Sequence, residues 1–222
     1  MFLFLLTLLA AGAPAVQECT YSFGVTDVPS FIATAAVLEG VGVTAYLGAA
    51  DFISSRAYLT AAGSILTIEA RHNAYLRSVT NQRPAPQTFD VPQTFNEVFS
   101  LAAPMIVSCP SSNPTFLPLK AFPALTVTNS GNGTILTGSK ITVQAKLDWT
   151  GPVYAAFVGS TGPVLAEIES NNGSYTVTIP ANVHGQSYLL LTKHKKRVND
   201  DTIVAGPAIV MISGTDGAPT TP

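Results

Sequence analysis

The sequence predicts an α+β chain: a partial helical bundle followed by a C-terminal β-sandwich. Three observations predict it. Residues 28–50 contain a single charged side chain, Glu39. Over residues 56–79 the apolar positions Ala57, Leu59, Ala61, Ile65, Leu66, Ile68 and Leu76 follow an amphipathic helical pattern. From Lys120 onward, apolar residues alternate in period two between turn-forming stretches. The expected organisation is a helical domain over residues 1–118, a sandwich over 119–214 and a disordered tail over 215–222.

Taken in order, the opening MFLFLLTLLAAGAPA has two readings. Its apolar run and its Ala-Gly-Ala-Pro-Ala exit fit a signal peptide. The basic start of such a peptide is missing, since the first Lys or Arg is Arg56. The other reading is the end of a buried helix, stopped by Gly12 and Pro14. Asp27 then stands before Val28 and Pro29, an N-cap with proline in the first turn. The helix so started is apolar on all sides, and Gly40, Gly42 and Gly48 along it permit close bundle packing. Asp51 and Ser54 break it. Ser54 or Ser55 caps a second helix over 56–79. A Pro-rich loop covers 81–92, and a short helix is expected over 93–107. Strands are expected over 124–128, 140–147, 153–158, 165–170, 174–179, 187–193 and 208–212. Seven short strands at this spacing suggest an Ig-like sandwich.

Composition narrows the function classes. Of 222 residues, 47% are hydrophobic and 11% charged, under half the ~25% usual for soluble domains. The net charge is −2 and the pI about 5.8, so no basic field exists to collect phosphates and no nucleic-acid partner is expected. The run Lys193-His194-Lys195-Lys196-Arg197 is followed at once by Asp200 and Asp201 and reads as a charged hairpin tip. No membrane span is expected: the N-terminal apolar run is shorter than the ~20 residues a bilayer needs, and the glycine-bearing helix reads as bundle packing. Two cysteines, Cys19 and Cys109, fit one disulfide in an oxidising compartment; two buried free thiols are the alternative. Sequons begin at Asn132 and Asn172, and with the cysteines they point to a secreted or cell-wall glycoprotein.

One constellation carries chemistry. Glu39 stands alone in an apolar helix, and a buried carboxylate must be protonated, paired or bound to a cation. The second helix holds Glu69-Ala70-Arg71-His72, with Glu69 and His72 three apart on one face. Glu-x-x-His is the ligand motif of di-iron carboxylate bundles. A chain reversal near Ser54 places Glu39 and Glu69 at equal height, because each lies 15 residues from it. Glu39, Glu69 and His72 are therefore candidate metal ligands, oxygen and imidazole donors suited to a dication. The competing reading is a polar network in which Glu39 pairs with Arg71 or His72. No catalytic triad and no phosphate-binding glycine loop stands out.

The stretch DVPSFIATAAVLEGVGVTAYLGAADFI, with LTAAGSILTIEARHNAYLR after it, resembles the ferritin-like domain of desiccation-related and fungal stress-regulated, rds-type secreted proteins. The segment GQSYLLLTKHKKRVNDDTIVAGPAIVMI resembles the C-terminal region of the fungal members. The resemblance implies that residues 28–107 supply the third, fourth and short fifth helix of a ferritin-like bundle, with Glu39, Glu69 and His72 at ligand positions. It implies iron or manganese at an incomplete site, because no earlier helix carrying Glu or Glu-x-x-His precedes Asp27. On this view the opening segment is the end of the second helix and the chain is N-terminally truncated. A half-bundle would leave an apolar face open, and a homodimer through that face would complete the ligand set. Family membership implies a secreted, stress-associated protein with residual metal binding; it does not by itself imply ferroxidase or oxygenase activity. The alternatives are a di-metal oxidase-type enzyme needing a second hairpin, and a cell-wall or adhesion module acting through the sandwich.

Overall fold

A computed structural model describes residues 16–113, 118–129, 134–171 and 173–213. The opening segment, the tail and both sequon asparagines, Asn132 and Asn172, lie outside the described residues.

The helices come first in the chain. Helix α1 spans Val28–Ala49. Its N-terminus is a reciprocal capping box: the Asp27 carboxylate accepts from the Ser30 amide at 2.8 Å and Ser30 Oγ accepts from the Asp27 amide at 3.0 Å. A 3₁₀ turn, Ala50–Phe52, reverses the chain into α2, Arg56–Val79, whose N-cap is Ser55. The left-handed Asn81 (φ 57°) follows the end of α2, a conformation asparagine tolerates better than bulkier residues.

Helix α3 is shorter than the sequence suggests. It spans Phe95–Ala102, gives way to a 3₁₀ turn over Ala103–Met105, and then to a strand. Pro104 removes an amide that a longer helix would need. The β-branched pair after Met105 extends instead, so strand β2, Ile106–Ser108, pairs antiparallel with strand β1, Thr20–Tyr21. Beside this ribbon Cys19 and Cys109 form a disulfide that closes a separation of 90 residues.

The second half is two antiparallel four-stranded sheets. One contains β3 (Thr126–Asn129), β4 (Lys140–Gln144), β7 (Ile168–Asn171) and β8 (Ser174–Thr178), in the order β3-β4-β8-β7. The other contains β5 (Tyr154–Phe157), β6 (Val164–Ala166), β9 (Gly185–Thr192) and β10 (Ile203–Ile212), in the order β10-β9-β5-β6. The run expected as one strand over 165–170 is two strands in different sheets. Its first part pairs with β5, its last part with β8, and Glu167 stands between them. Strand β10 also begins earlier than expected. Pro207 within it donates nothing to the ladder, and the register shifts between Ala205 and Ala208 accommodate it.

The main core lies between the sheets: Ile141, Val143 and Val177 from one, Phe157, Leu189, Leu191 and Val210 from the other. Strand β9 is buried along its whole length: Tyr188, Leu189, Leu190 and Leu191 form its apolar centre, and Gln186, Ser187 and Thr192 are buried polar residues within it. Its outward Tyr188 joins Val41 of α1 and Val91 in a second, smaller core. The helical half therefore packs on the outer face of the β10-β9-β5-β6 sheet. The seam is polar as well as apolar. Gln186 Nε2 donates to the Val37 carbonyl (3.1 Å) and Tyr188 OH to that of Gly40 (3.0 Å). Gly40 is required there, because a Cβ would strike the Gln186 amide. At the other end, Asp200 accepts from Thr94 Oγ1 and Asn96 Nδ2, both at 2.8 Å, and ties the β9–β10 hairpin to the start of α3.

Candidate metal centre

The hairpin of α1 and α2 sets the height of the three candidate ligands. Glu39 Oε1 and His72 Nδ1 are 3.2 Å apart, so one partner named by the competing polar-network reading is in place. Arg71, the other, makes no ion pair with Glu39 among the described residues. The Glu39 side chain is 28% exposed and that of His72 54%, so the pair sits at the edge of the hairpin.

Glu69 lies deeper. Its carboxylate rests against Gly42, where a Cβ would collide with Oε2. The glycine that sequence reading assigns to helix packing thus makes room for this carboxylate. Glu69 Oε2 is buried and has no hydrogen-bond partner. Burial first, and the Glu39 charge second, push the Glu69 carboxyl up to about 7, while His72 opposes the rise. The neighbouring Tyr46 phenol is raised by burial and by the Glu69 charge. Tyr46 is part of the site and was not singled out from the sequence. Its signal is periodicity, since it lies seven residues after Glu39, two turns along the same face.

The donor set suits a dication: two carboxylates and one imidazole, with one carboxylate oxygen buried and unsatisfied. As they stand, Glu39 and His72 are committed to one another. Among the described residues no three His, Cys, Asp or Glu side chains gather as a metal-holding group. Seen on the whole helix, α1 with its 3₁₀ extension, Val28–Phe52, is long and apolar enough to cross a membrane by length and composition. Here it lies against α2 and the sandwich.

Comparison with known proteins bears on this half of the chain. Residues 3–82 match the family model of the ferritin-like domain. The chain is also similar to Protein rds1 of Schizosaccharomyces pombe, 34% identical over 116 residues. That similarity covers 51% of this chain and 28% of the yeast protein, so the chain spans well under half the length of that relative.

Proposed function

We propose that the chain is a secreted, stress-associated ferritin-like protein, a reading supported by the match of residues 3–82 to the family model of the ferritin-like domain and by the similarity to Protein rds1. Its helical hairpin supplies half of a carboxylate metal site and does not catalyse a reaction alone. The observation that carries this reading is the Glu39–His72 contact beside the buried, unsatisfied Glu69 oxygen. Glu39, Glu69 and His72 would hold iron or manganese, and a bound ion of that kind would supply Lewis acidity and one-electron chemistry. The chain's own residues position the donors: Gly42 admits the Glu69 carboxylate and His72 orients Glu39. Secretion is supported by the Cys19–Cys109 disulfide, which suits an oxidising compartment. The two sheet orders support an Ig-like sandwich, since they correspond to the two-sheet Greek-key arrangement of that fold.

The same reading includes a homodimer. Phe31, Phe52, Tyr58, Leu59, Ile68 and Tyr75 are all exposed on the hairpin and its turn. A two-fold partner covering such a face would rebuild four helices and bring together two copies of each ligand. Light scattering coupled to metal analysis tests it. Iron or manganese should travel with the dimer fraction and fall in Glu69→Gln and His72→Ala. Metal-free dimers and monomers at every loading would defeat the proposal.

A further inference from the structure

The basic run between β9 and β10 is built into a surface of its own. Four of the chain's 11 Lys and Arg residues fall within residues 193–197. Two buried threonines hold this turn. Thr202 Oγ1 accepts from the Asn199 amide at 2.9 Å, the Thr202 carbonyl from the Lys193 amide at 3.0 Å, and Thr192 Oγ1 from the His194 amide at 3.3 Å. Two of the lysines stand against aromatic rings. Lys193 Nζ lies 5.7 Å from the centroid of the Trp149 ring, and Lys195 Nζ 5.2 Å from that of Tyr154. Trp149 is itself fixed. Its indole Nε1 donates to the Pro152 carbonyl at 3.0 Å, and Gly151 packs so closely on it that a Cβ there would strike the ring. Trp149 is the single tryptophan of the chain and is 40% exposed.

The acids after the run do not neutralise it. Asp200 is turned to α3, where it accepts from Thr94 and Asn96. Asp201 meets Arg197 at 3.7 Å. Among the described residues Lys193, Lys195 and Lys196 have no carboxylate within ion-pair distance, Asp148 beside Trp149 included. Three ammoniums are thus left over, two of them steadied by a ring face. A single exposed ion pair gains little in water, so useful binding here needs several anions on one chain. A nucleic-acid strand would stack its bases on open aromatic faces, and these rings carry lysines. A bilayer surface calls for apolar side chains that enter it, and residues 193–197 supply none. A stiff chain of repeated carboxylates needs neither, and it loses little freedom in meeting charges that are already held. We propose that the β9–β10 turn binds an acidic polysaccharide of the polyuronate type, with Lys193, Lys195 and Lys196 meeting its carboxylates and Trp149 and Tyr154 positioning the first two.

The test is a titration of the full chain with polygalacturonate, read by intrinsic fluorescence and by calorimetry. Every tryptophan signal comes from Trp149. The signal should change saturably, and affinity should fall about tenfold or more at about 0.5 M NaCl, where charges are screened within a few ångströms. Lys193→Gln with Lys195→Gln should also weaken binding about tenfold or more, since it removes two of three linked contacts. Thermal unfolding of this variant should match the parent, because neither side chain is buried. Methyl-esterified polygalacturonate, which keeps the sugars and loses the charge, should bind far more weakly. Polyglutamate, oligo-dT and phosphatidylserine vesicles should each bind several-fold more weakly than polygalacturonate. No saturable binding by either readout would overturn the proposal. So would affinity that survives the salt, the double substitution or esterification, and so would equal or tighter binding of polyglutamate, oligo-dT or the vesicles.

Discussion

The hairpin and the sandwich are both rich in apolar residues, yet they use them differently. In the sandwich Val143, Phe157, Val177, Leu189 and Leu191 are 0% exposed. In and around the hairpin Phe31 is 58%, Phe52 72% and Tyr75 68% exposed. Two sheets cover each other, whereas two helices lying on one sheet are covered on one side only. Apolar content therefore does not measure burial; the number of layers does. The comparison breaks or holds on a pair of substitutions. Phe157→Ala should cost about 3–5 kcal/mol in chemical denaturation, through lost transfer energy and the cavity left behind. Phe31→Ser should cost under about 0.5 kcal/mol and should reduce self-association. Equal costs would mean that the hairpin face is covered in the free chain.

The next largest effect separates the two regions by covalent means. Among the described residues the Cys19–Cys109 link encloses the three α-helices and none of the sandwich strands. Closing a loop of this length stabilises by about 2–4 kcal/mol in typical cases, mostly by restricting the unfolded chain. Under reduction, or in Cys19→Ser with Cys109→Ser, amide exchange should speed up across α1, α2 and α3. The β9 and β8 amides should keep their protection. Loss of protection in both regions together would show that they unfold as one unit.

Much of this was legible in the sequence, and the parts that were not have physical reasons. The ends of α1 and α2 were readable because Asp27-Val28-Pro29 and Ser55 are local signals whose partners lie within four residues. The placement of Glu39 opposite Glu69 and His72 followed from counting along two helices. What was missed depends on distant partners. Residues 165–170 alternate as one strand would, and only their partners, β5 and β8, divide them between sheets. Asp200 reads as a charge at a hairpin tip, but its partners Thr94 and Asn96 are more than 100 residues away. Arg77 reads as a polar residue in the last turn of an amphipathic helix, and nothing local says that the Pro-rich loop and β9 bury it. Thr94-x-x-Glu97 is different: it is a local capping-box signal, present in the sequence and passed over.

That capping box gives a further expected effect, one that varies with pH, and it sits where the two regions meet. Glu97 is 5% exposed, and its Oε2 accepts from the Thr94 amide at 2.8 Å. Burial pushes its carboxyl from 4.5 up to about 7, the Thr94 hydrogen bonds oppose this, and the nearby Asp200 charge adds to it. A carboxyl raised on folding binds its proton more tightly in the native chain. Its contribution is therefore fully present below about pH 4.5, where both states are protonated, and is lost as pH rises through about 7. A shift of this size corresponds to about 2–3 kcal/mol once partial relaxation is allowed for. Unfolding free energies measured at several pH values should thus fall between those limits. Glu97→Gln keeps an acceptor for the Thr94 amide and does not titrate, so the fall should shrink to what Glu69, raised for similar reasons, still contributes. If Glu97→Gln leaves the whole slope in place, the seam is wetter than its geometry indicates, and the helical half and the sandwich are less tightly joined at α3 than at Tyr188.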